Sequence, residues 1–125
     1  MNSKLFGSEH IVCTDLDNTI AKWSKKHNIP GEGRIPVLDP YSHEVVYLKP
    51  HLVHIRLLKQ YRARGYKIIA WSKAGELWAE AVFKAFEIDD LADLYMTKPD
   101  KVIDDKCSLQ DIVGPVIYLQ DRESD

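Results

Sequence analysis

The 125-residue chain has few cysteines and no long apolar run. Its two cysteines, Cys13 and Cys107, are too few for a disulfide scaffold, and neither belongs to a CxxC motif. Both are therefore expected to be reduced, as in a cytoplasmic protein. No segment approaches the roughly 18 consecutive apolar residues of a membrane span, and the first residues lack the apolar stretch of a secretion signal. The sequence thus predicts a cytoplasmic protein with no membrane partner.

The chain also lacks a large excess of either charge. It has 17 Lys and Arg residues and 19 Asp and Glu residues, for a formal net charge of −2. This balance argues against nucleic-acid binding driven by overall charge, although it leaves a local basic patch open. Because 45% of the residues are hydrophobic, the chain can bury a real core. The length predicts a single domain over residues 1–125.

Short apolar, β-branched runs predict strands, and the first two are expected to be buried, with Cys13 acting as a small hydrophobe. The predicted strands cover residues 10–14, 67–71, 95–97, 101–103 (the weakest) and 116–119.

Helical periodicity predicts one helix from Pro50, in its first turn, to a stop at Gly65, and another over about residues 75–87. Residues 34–38 and 44–48 predict a hairpin with a polar tip. Alternating strands and helices predict an α/β fold with a mainly parallel central sheet flanked by helices. Ligands bind such sheets at the carboxyl ends of the strands.

Polar residues follow the predicted strands at those ends. Asp15 and Asp17 follow the first strand and Ser72 the second. Lys98 follows the third, and a pair of acids follows the weak fourth strand. These residues are Asp15, Asp17, Ser72, Lys98, Asp104 and Asp105. One edge of the sheet is therefore predicted to carry four carboxylates, a hydroxyl and an amine.

The same residues form four short motifs in order. Residues 15–19 match a DxDxT signature, Ser72 is a hydroxyl residue ending a strand, and Lys98 is followed by proline. Asp104 and Asp105 form a paired acid. With these motifs, nearly the whole chain resembles the haloacid dehalogenase-like (HAD) superfamily, which implies a Rossmann-like core. The five residues between Lys98 and Asp104 are a departure, because many members place a helix there.

The resemblance implies a Mg²⁺-dependent phosphatase that works through an aspartyl-phosphate. Asp15 would be the nucleophile, and Asp17 the general acid and then the base. Ser72 would bind a phosphoryl oxygen, and Lys98 would neutralise developing charge. Mg²⁺ would be held by Asp15, the carbonyl of Asp17, and the paired acids, of which Asp105 is favoured over Asp104 for direct contact.

The intervals between motifs leave room for the hairpin as a small flap, but not for a separate cap domain. The open site suits a phosphorylated small molecule or, as the alternative, a phosphorylated polynucleotide or protein end. A basic-aromatic cluster near the first motif is either a solvated face or a contact for such a substrate; it comprises Trp23, Lys25, Lys26 and His27. A non-catalytic binding module of the same fold, a phosphotransferase, and an oligomer also remain open.

Two further groups have structural interpretations. His51 and His54 lie three residues apart on a predicted helix, but no third ligand has suitable spacing, so they are expected to be surface or core residues. Four large aromatic residues are expected in the core and not on a stacking platform: Trp71, Trp78, Phe83 and Phe86.

Overall fold

The computed structural model describes residues 10–105, and within them a three-stranded parallel sheet lies in the order β1–β5–β6. Its strands are β1 (Ile11–Thr14), β5 (Lys67–Ser72) and β6 (Leu94–Thr97). Thr14 is aligned with Ala70, and Ser72 with Thr97. All three strands run in one direction, so their carboxyl ends meet at one edge, as the alternation of strands and helices predicts.

A second, antiparallel sheet is formed by the chain between β1 and the first helix. It contains β2 (Ala21–Lys22), β3 (Ile35–Leu38) and β4 (Val45–Pro50), with β4 in the centre. The predicted hairpin is β3 and β4, in a register that aligns Ile35 with Leu48. The sequence did not predict β2, because two residues are too short to show an alternating pattern.

Two helices pack with these sheets. Helix α1 (Leu52–Ala63) begins after His51, whose side chain accepts a hydrogen bond from the backbone of His54. Helix α2 (Glu76–Ala85) begins after Gly75, at a φ of 111°. It contacts β3, β5 and β6, so it joins the two sheets. A short 3-10 turn, Asp89–Leu91, leads into β6.

One hydrophobic core joins these elements. Phe83 and Val82 of α2 are fully buried, and so is Ile68 of β5. The first loop and the hairpin add residues to the same cluster. The buried members are Leu16, Ile20, Ala21, Val37, Leu48, Ile55, Leu58, Ile68, Ala70, Trp78, Ala79, Val82, Phe83, Phe86, Ile88 and Leu91. The described part of the chain therefore shares a single core. The predicted core positions of Trp78, Phe83 and Phe86 are confirmed, whereas Trp71 is only half-buried.

Three details differ from the sequence predictions. Residues 101–103 do not form a strand, because the apolar run is too short and its side chains are exposed. Cys13 is exposed, since β1 is an edge strand of the described sheet with only one face covered. Pro50 ends β4 and does not begin α1, because its fixed φ is also compatible with an extended strand end.

Residues 116–119, predicted as the last strand, lie outside the described residues. Within residues 10–105, no helix is long and apolar enough to cross a membrane.

Candidate functional site

The carboxyl edge of the parallel sheet brings three of the predicted site residues onto neighbouring strands. Asp15 lies one residue beyond the last aligned pair of β1 and β5. Ser72 ends the central strand β5, and the backbone N–H of Lys98 donates to its carbonyl at 3.0 Å. Adjacent strands lie about 4.8 Å apart, so the backbones of Asp15, Ser72 and Lys98 span only about 10 Å.

The loop after β1 is a tight turn around one carbonyl. The oxygen of Leu16 accepts hydrogen bonds from Thr19, Ile20 and Ala21 at 2.8 to 3.1 Å. Asn18 adopts a positive φ of 62°, a conformation that asparagine tolerates better than most residues. Among the loop hydrogen bonds of residues 10–105, none uses the carbonyl of Asp17. That oxygen thus stays available at the carboxyl edge of the sheet.

Two tryptophans orient the side chain of Asp17. The indole N–H of Trp23 donates to Oδ1 at 2.8 Å, and the indole N–H of Trp78 donates to the same oxygen at 3.1 Å. Trp78 is buried, whereas Trp23 is 36% exposed. In the described part of the chain, Oδ2 of Asp17 has no hydrogen-bond partner. The carboxyl group is therefore held by one oxygen and presents the other.

The carboxylate of Asp15, unlike that of Asp17, is not oriented by a tryptophan. No hydrogen bond or ion pair to its side chain occurs within residues 10–105, and the residue is half-buried. Its backbone carbonyl accepts from the hydroxyl of Thr14 at 3.0 Å. A half-buried carboxylate with no protein donor has both oxygens available for an external ligand, as a nucleophile or a metal ligand needs.

Ser72 is fully buried, and its hydroxyl oxygen accepts from the backbone of Ala74 at 3.0 Å. This bond stabilises the turn between β5 and α2, and it leaves the hydroxyl proton to donate. The helix cap is Gly75 and not Ser72. Lys98 is half-buried, and in the described structure its amine makes no ion pair.

The tip of the hairpin reaches the start of α2. The hydroxyl of Tyr41 accepts from the backbone N–H of Leu77 at 3.1 Å, and Thr97 Oγ1 accepts from that of Glu76 at 3.2 Å. Both N–H groups belong to the first turn of a helix, where they lack partners within the helix. A Cβ placed on Gly75 would overlap the Tyr41 hydroxyl. The hairpin and α2 are therefore in close contact beside Asp17.

Asp39 organises this hairpin tip. Its Oδ1 accepts from the backbone of Tyr41 at 2.9 Å, and its Oδ2 accepts from the Ser42 hydroxyl at 3.0 Å. The hydrogen bond from the Tyr41 backbone lowers the pKa of Asp39, with smaller contributions from Ser42 and from the charge of His43. Asp39 is therefore ionised at neutral pH.

These elements form the walls of an open cavity of about 420 Å³ next to Asp17. Its walls come from the first loop, the hairpin, the turn after β5, and α2. The lining residues are Asp17, Asn18, Trp23, Asp39, Tyr41, Val46, Ala74 and Trp78. The volume lies in the range typical of small-molecule sites.

Sequence reasoning missed the roles of Trp23, Trp78 and Tyr41 toward this site. Trp78 was correctly assigned to the core, but its contact with Asp17 spans 61 residues of sequence. The Tyr41 contact with α2 spans 36. The proximity of Trp23 to the DxDxT motif was the only local signal.

Of the two positions expected for His51 and His54, surface or core, the structure shows the core position. Both are buried, and their rings stack at 4.0 Å between centroids. Nδ1 of His54 lies 2.9 Å from the carbonyl of Thr19. The pair therefore supports the back of the first loop.

The paired acids Asp104 and Asp105 are exposed and do not follow a strand, contrary to the prediction. Within residues 10–105, no three His, Cys, Asp or Glu side chains form a group that could hold a metal ion. The donors of the first loop do fit Mg²⁺, since the carboxylate of Asp15 and the carbonyl of Asp17 are hard oxygen ligands. The other half of the predicted ligand set stays a prediction.

No family model, curated protein or solved structure matches the chain.

Proposed function

We propose that the chain is a capless, Mg²⁺-dependent phosphomonoesterase with a Rossmann-like HAD core. The observation that carries the proposal is the available carboxylate of Asp15 beside an Asp17 that two indoles orient. Ser72 and Lys98 follow the next two strands at the same edge of the sheet. This order of nucleophile, acid, hydroxyl and amine is the one that the resemblance to the HAD superfamily implies.

In the proposed reaction, an oxygen of Asp15 forms a bond to phosphorus as the bond from phosphorus to the ester oxygen breaks. Asp17 gives its proton to that leaving oxygen. Both indoles donate to Oδ1, so Oδ2 is the oxygen that carries this proton. Water then attacks phosphorus and returns a proton to Asp17. The bond to Asp15 breaks, and inorganic phosphate leaves.

Ser72 and Lys98 would act by position and charge. The Ser72 hydroxyl proton would be donated to a phosphoryl oxygen, because its oxygen already accepts from Ala74. The Lys98 amine would balance the charge on the phosphoryl group. Mg²⁺, held by Asp15 and the carbonyl of Asp17, with Asp105 or Asp104 completing the set, would supply charge neutralisation between carboxylate and phosphate.

The test is phosphate release from a generic aryl phosphate, with Mg²⁺ and with EDTA. Wild type is compared with Asp15→Asn and with Asp100→Asn. Asp100 lies just beyond β6 in an exposed ion pair with Lys73, so it is a matched control for loss of one carboxylate near this edge. We expect metal-dependent turnover in wild type and Asp100→Asn, and none in Asp15→Asn.

Circular dichroism of each variant checks that the fold is intact. An Asp15→Asn protein with unchanged activity would rule out the aspartyl nucleophile. A wild type that binds Mg²⁺ but releases no phosphate from this ester or from a panel of phosphomonoesters would support the non-catalytic binding module instead.

A phosphorylated polynucleotide end is a second candidate substrate, favoured by another cavity of about 550 Å³. Lys22, Arg34 and Lys49 line it together, and Lys22 faces Lys49 directly across β2 and β4. None of the described residues that line it is a predicted site residue. If polynucleotides are substrates, phosphate release from 3′-phosphorylated oligonucleotides should fall steeply with added salt, and Arg34→Gln should weaken that dependence.

A further inference from the structure

We propose that the cavity beside Asp17 binds a quaternary ammonium group of the leaving alcohol, so that the preferred substrate is a phosphomonoester of a quaternary ammonium alcohol. This inference rests on the proposed phosphatase function. It concerns the part of the substrate that leaves with the ester oxygen, because Asp17, the proposed proton donor, lines the cavity.

The lining of the cavity has one sign of charge. Asp39 contributes a carboxylate, Asp17 contributes the carboxyl group that carries the proton in the proposed reaction, and none of the described lining residues is lysine, arginine or histidine. Asp39 is ionised at neutral pH for the reason given above. A second phosphate or a carboxylate on the leaving group would therefore be repelled, whereas a cation would be attracted.

Aromatic rings form much of the wall. Trp23, Tyr41 and Trp78 line the cavity, and Trp23 and Tyr41 remain 36% and 52% exposed. The faces of tryptophan and tyrosine rings attract cations through their quadrupoles, most strongly where water is excluded. Aromatic rings combined with carboxylates are the usual surroundings of a quaternary ammonium group in a protein.

Several polar atoms of the cavity already have partners within the protein, whereas Asp17 Oδ2 and the amide nitrogen of Asn18 have none within residues 10–105. Both oxygens of Asp39 accept hydrogen bonds from the hairpin tip. The indole N–H groups are both committed to Asp17, and the amide oxygen of Asn18 accepts from the backbone of Trp23 at 3.2 Å. The cavity thus offers the negative charge of Asp39 and aromatic rings, with few vacant hydrogen-bonding atoms beside the Asp17 oxygen that carries the proton in the proposed reaction.

This lining suits a quaternary ammonium group better than a nucleobase. A base needs complementary donors and acceptors along its edge, and leaving buried polar atoms unpaired is costly. A quaternary ammonium group spreads its charge over apolar methyl groups, has no N–H and needs no matched set of acceptors. The leaving group that suits this lining is therefore small, cationic and largely apolar.

The experiment compares phosphocholine with 3,3-dimethylbutyl phosphate, which has the same shape but carbon in place of nitrogen. We expect kcat/KM to favour phosphocholine by about tenfold, the range of a partly desolvated cation beside aromatic rings. Asp39→Asn should reduce this preference severalfold; asparagine keeps the oxygen that accepts from the Tyr41 backbone and replaces the one that accepts from Ser42. Glu44→Gln, an equal loss of charge on the same hairpin but outside the cavity, should leave the preference unchanged.

A second arm measures binding of the free alcohols, choline and 3,3-dimethylbutanol, by ¹⁵N NMR of the tryptophan indole N–H signals. This arm needs neither turnover nor a variant. Tighter binding of choline, with shifts of the indole signals, supports the cavity assignment even if no phosphomonoester is hydrolysed, a result that would overturn only the phosphatase proposal.

Equal kcat/KM for phosphocholine and its carbon analogue, together with equal affinities for the two free alcohols, would overturn the ammonium site. Hydrolysis of the aryl phosphate would still support the phosphatase. Preference for the neutral analogue, or tighter binding of cytidine than of choline, would also overturn the ammonium site.

Discussion

The parallel and antiparallel sheets contribute different side chains to the same cavity. The parallel sheet supplies the loops that end its strands, with Asp17 and Ala74 on the cavity wall. The antiparallel sheet supplies Asp39 and Tyr41 from a hairpin tip. Strand ends of a parallel sheet converge on one edge, whereas a hairpin tip tolerates substitution. Reaction chemistry is therefore expected to depend on the first sheet and substrate choice on the second.

The two sheets also contact the same helix, α2. Tyr41 of the hairpin accepts a hydrogen bond from the first turn of α2, and Thr97 of the parallel sheet accepts another from the same turn. Both sheets thus cap one helix. In the proposed enzyme, α2 therefore holds the hairpin tip, which is expected to select the substrate, beside the strand ends that carry the reacting groups.

The largest expected effect is on kcat, and it tests the role of Asp17 beside the parallel sheet. Asp17→Asn should lower kcat by about 10²- to 10⁴-fold for every phosphomonoester, because the amide cannot deliver a proton. Asparagine keeps the oxygen that accepts from Trp23 and Trp78. Inhibition by inorganic phosphate should change little. Equal losses in kcat and in phosphate affinity would argue against the acid–base role.

The next prediction tests whether the two sheets share one core. Phe83 is fully buried in α2, which contacts strands of both sheets. Phe83→Ala should lower the free energy of unfolding by about 3–5 kcal/mol, through lost burial and the cavity left behind. Chemical denaturation should show one transition. Leu77→Ala on the same helix, at a side chain that is 48% exposed, is the control and should change stability by less than about 0.5 kcal/mol.

A smaller effect tests the contact between the sheets. Gly75→Ala should cost about 1–3 kcal/mol, because alanine is strained at a φ of 111° and its Cβ would overlap Tyr41. Adding Tyr41→Ala should remove the overlap but not the backbone strain. The double variant should therefore lose less stability than the sum of the single variants. Strict additivity in a denaturation cycle would show that the hairpin tip does not pack on α2 in solution.

The smallest expected effect is on stability, and it concerns Asp93, which lies just before β6 of the parallel sheet. Asp93 accepts hydrogen bonds from Arg62 and from the backbone of Ile68, and the bond from Arg62 is the main reason that its pKa is lowered. Asp93→Asn should lower stability by about 1 kcal/mol at pH 7, a modest figure because the Arg62 side chain is 39% exposed and screened.

The pH dependence of that difference has a definite sign. The folded pKa of Asp93 lies below its unfolded value, so its contribution is complete above pH of about 4 and is lost as pH falls through the folded pKa. Denaturation curves at neutral pH and near pH 2 should show the gap between wild type and Asp93→Asn closing in acid. A gap that widened in acid would contradict this assignment.

The sequence by itself determined the local elements. Short apolar, β-branched runs predicted the three strands of the parallel sheet, turn residues between two short runs predicted the hairpin, and helical periodicity predicted both helices, because burial imposes a pattern on the residues that form each element. The same patterns placed Asp15, Ser72 and Lys98 after neighbouring strands, as the structure has them. Prediction failed for residues 101–103 and for β2, where the segments were too short for a repeat to identify them.

Only the tertiary structure decided how those elements meet. The indole of Trp78 reaches Asp17 across 61 residues, and Tyr41 caps α2 across 36. No periodic pattern in the sequence predicts such contacts, because each contact depends on how packing in the shared core positions one element against another. The sequence determined which side chains end the parallel strands, and the folded chain decided which of them a cavity, a hairpin and two tryptophans surround.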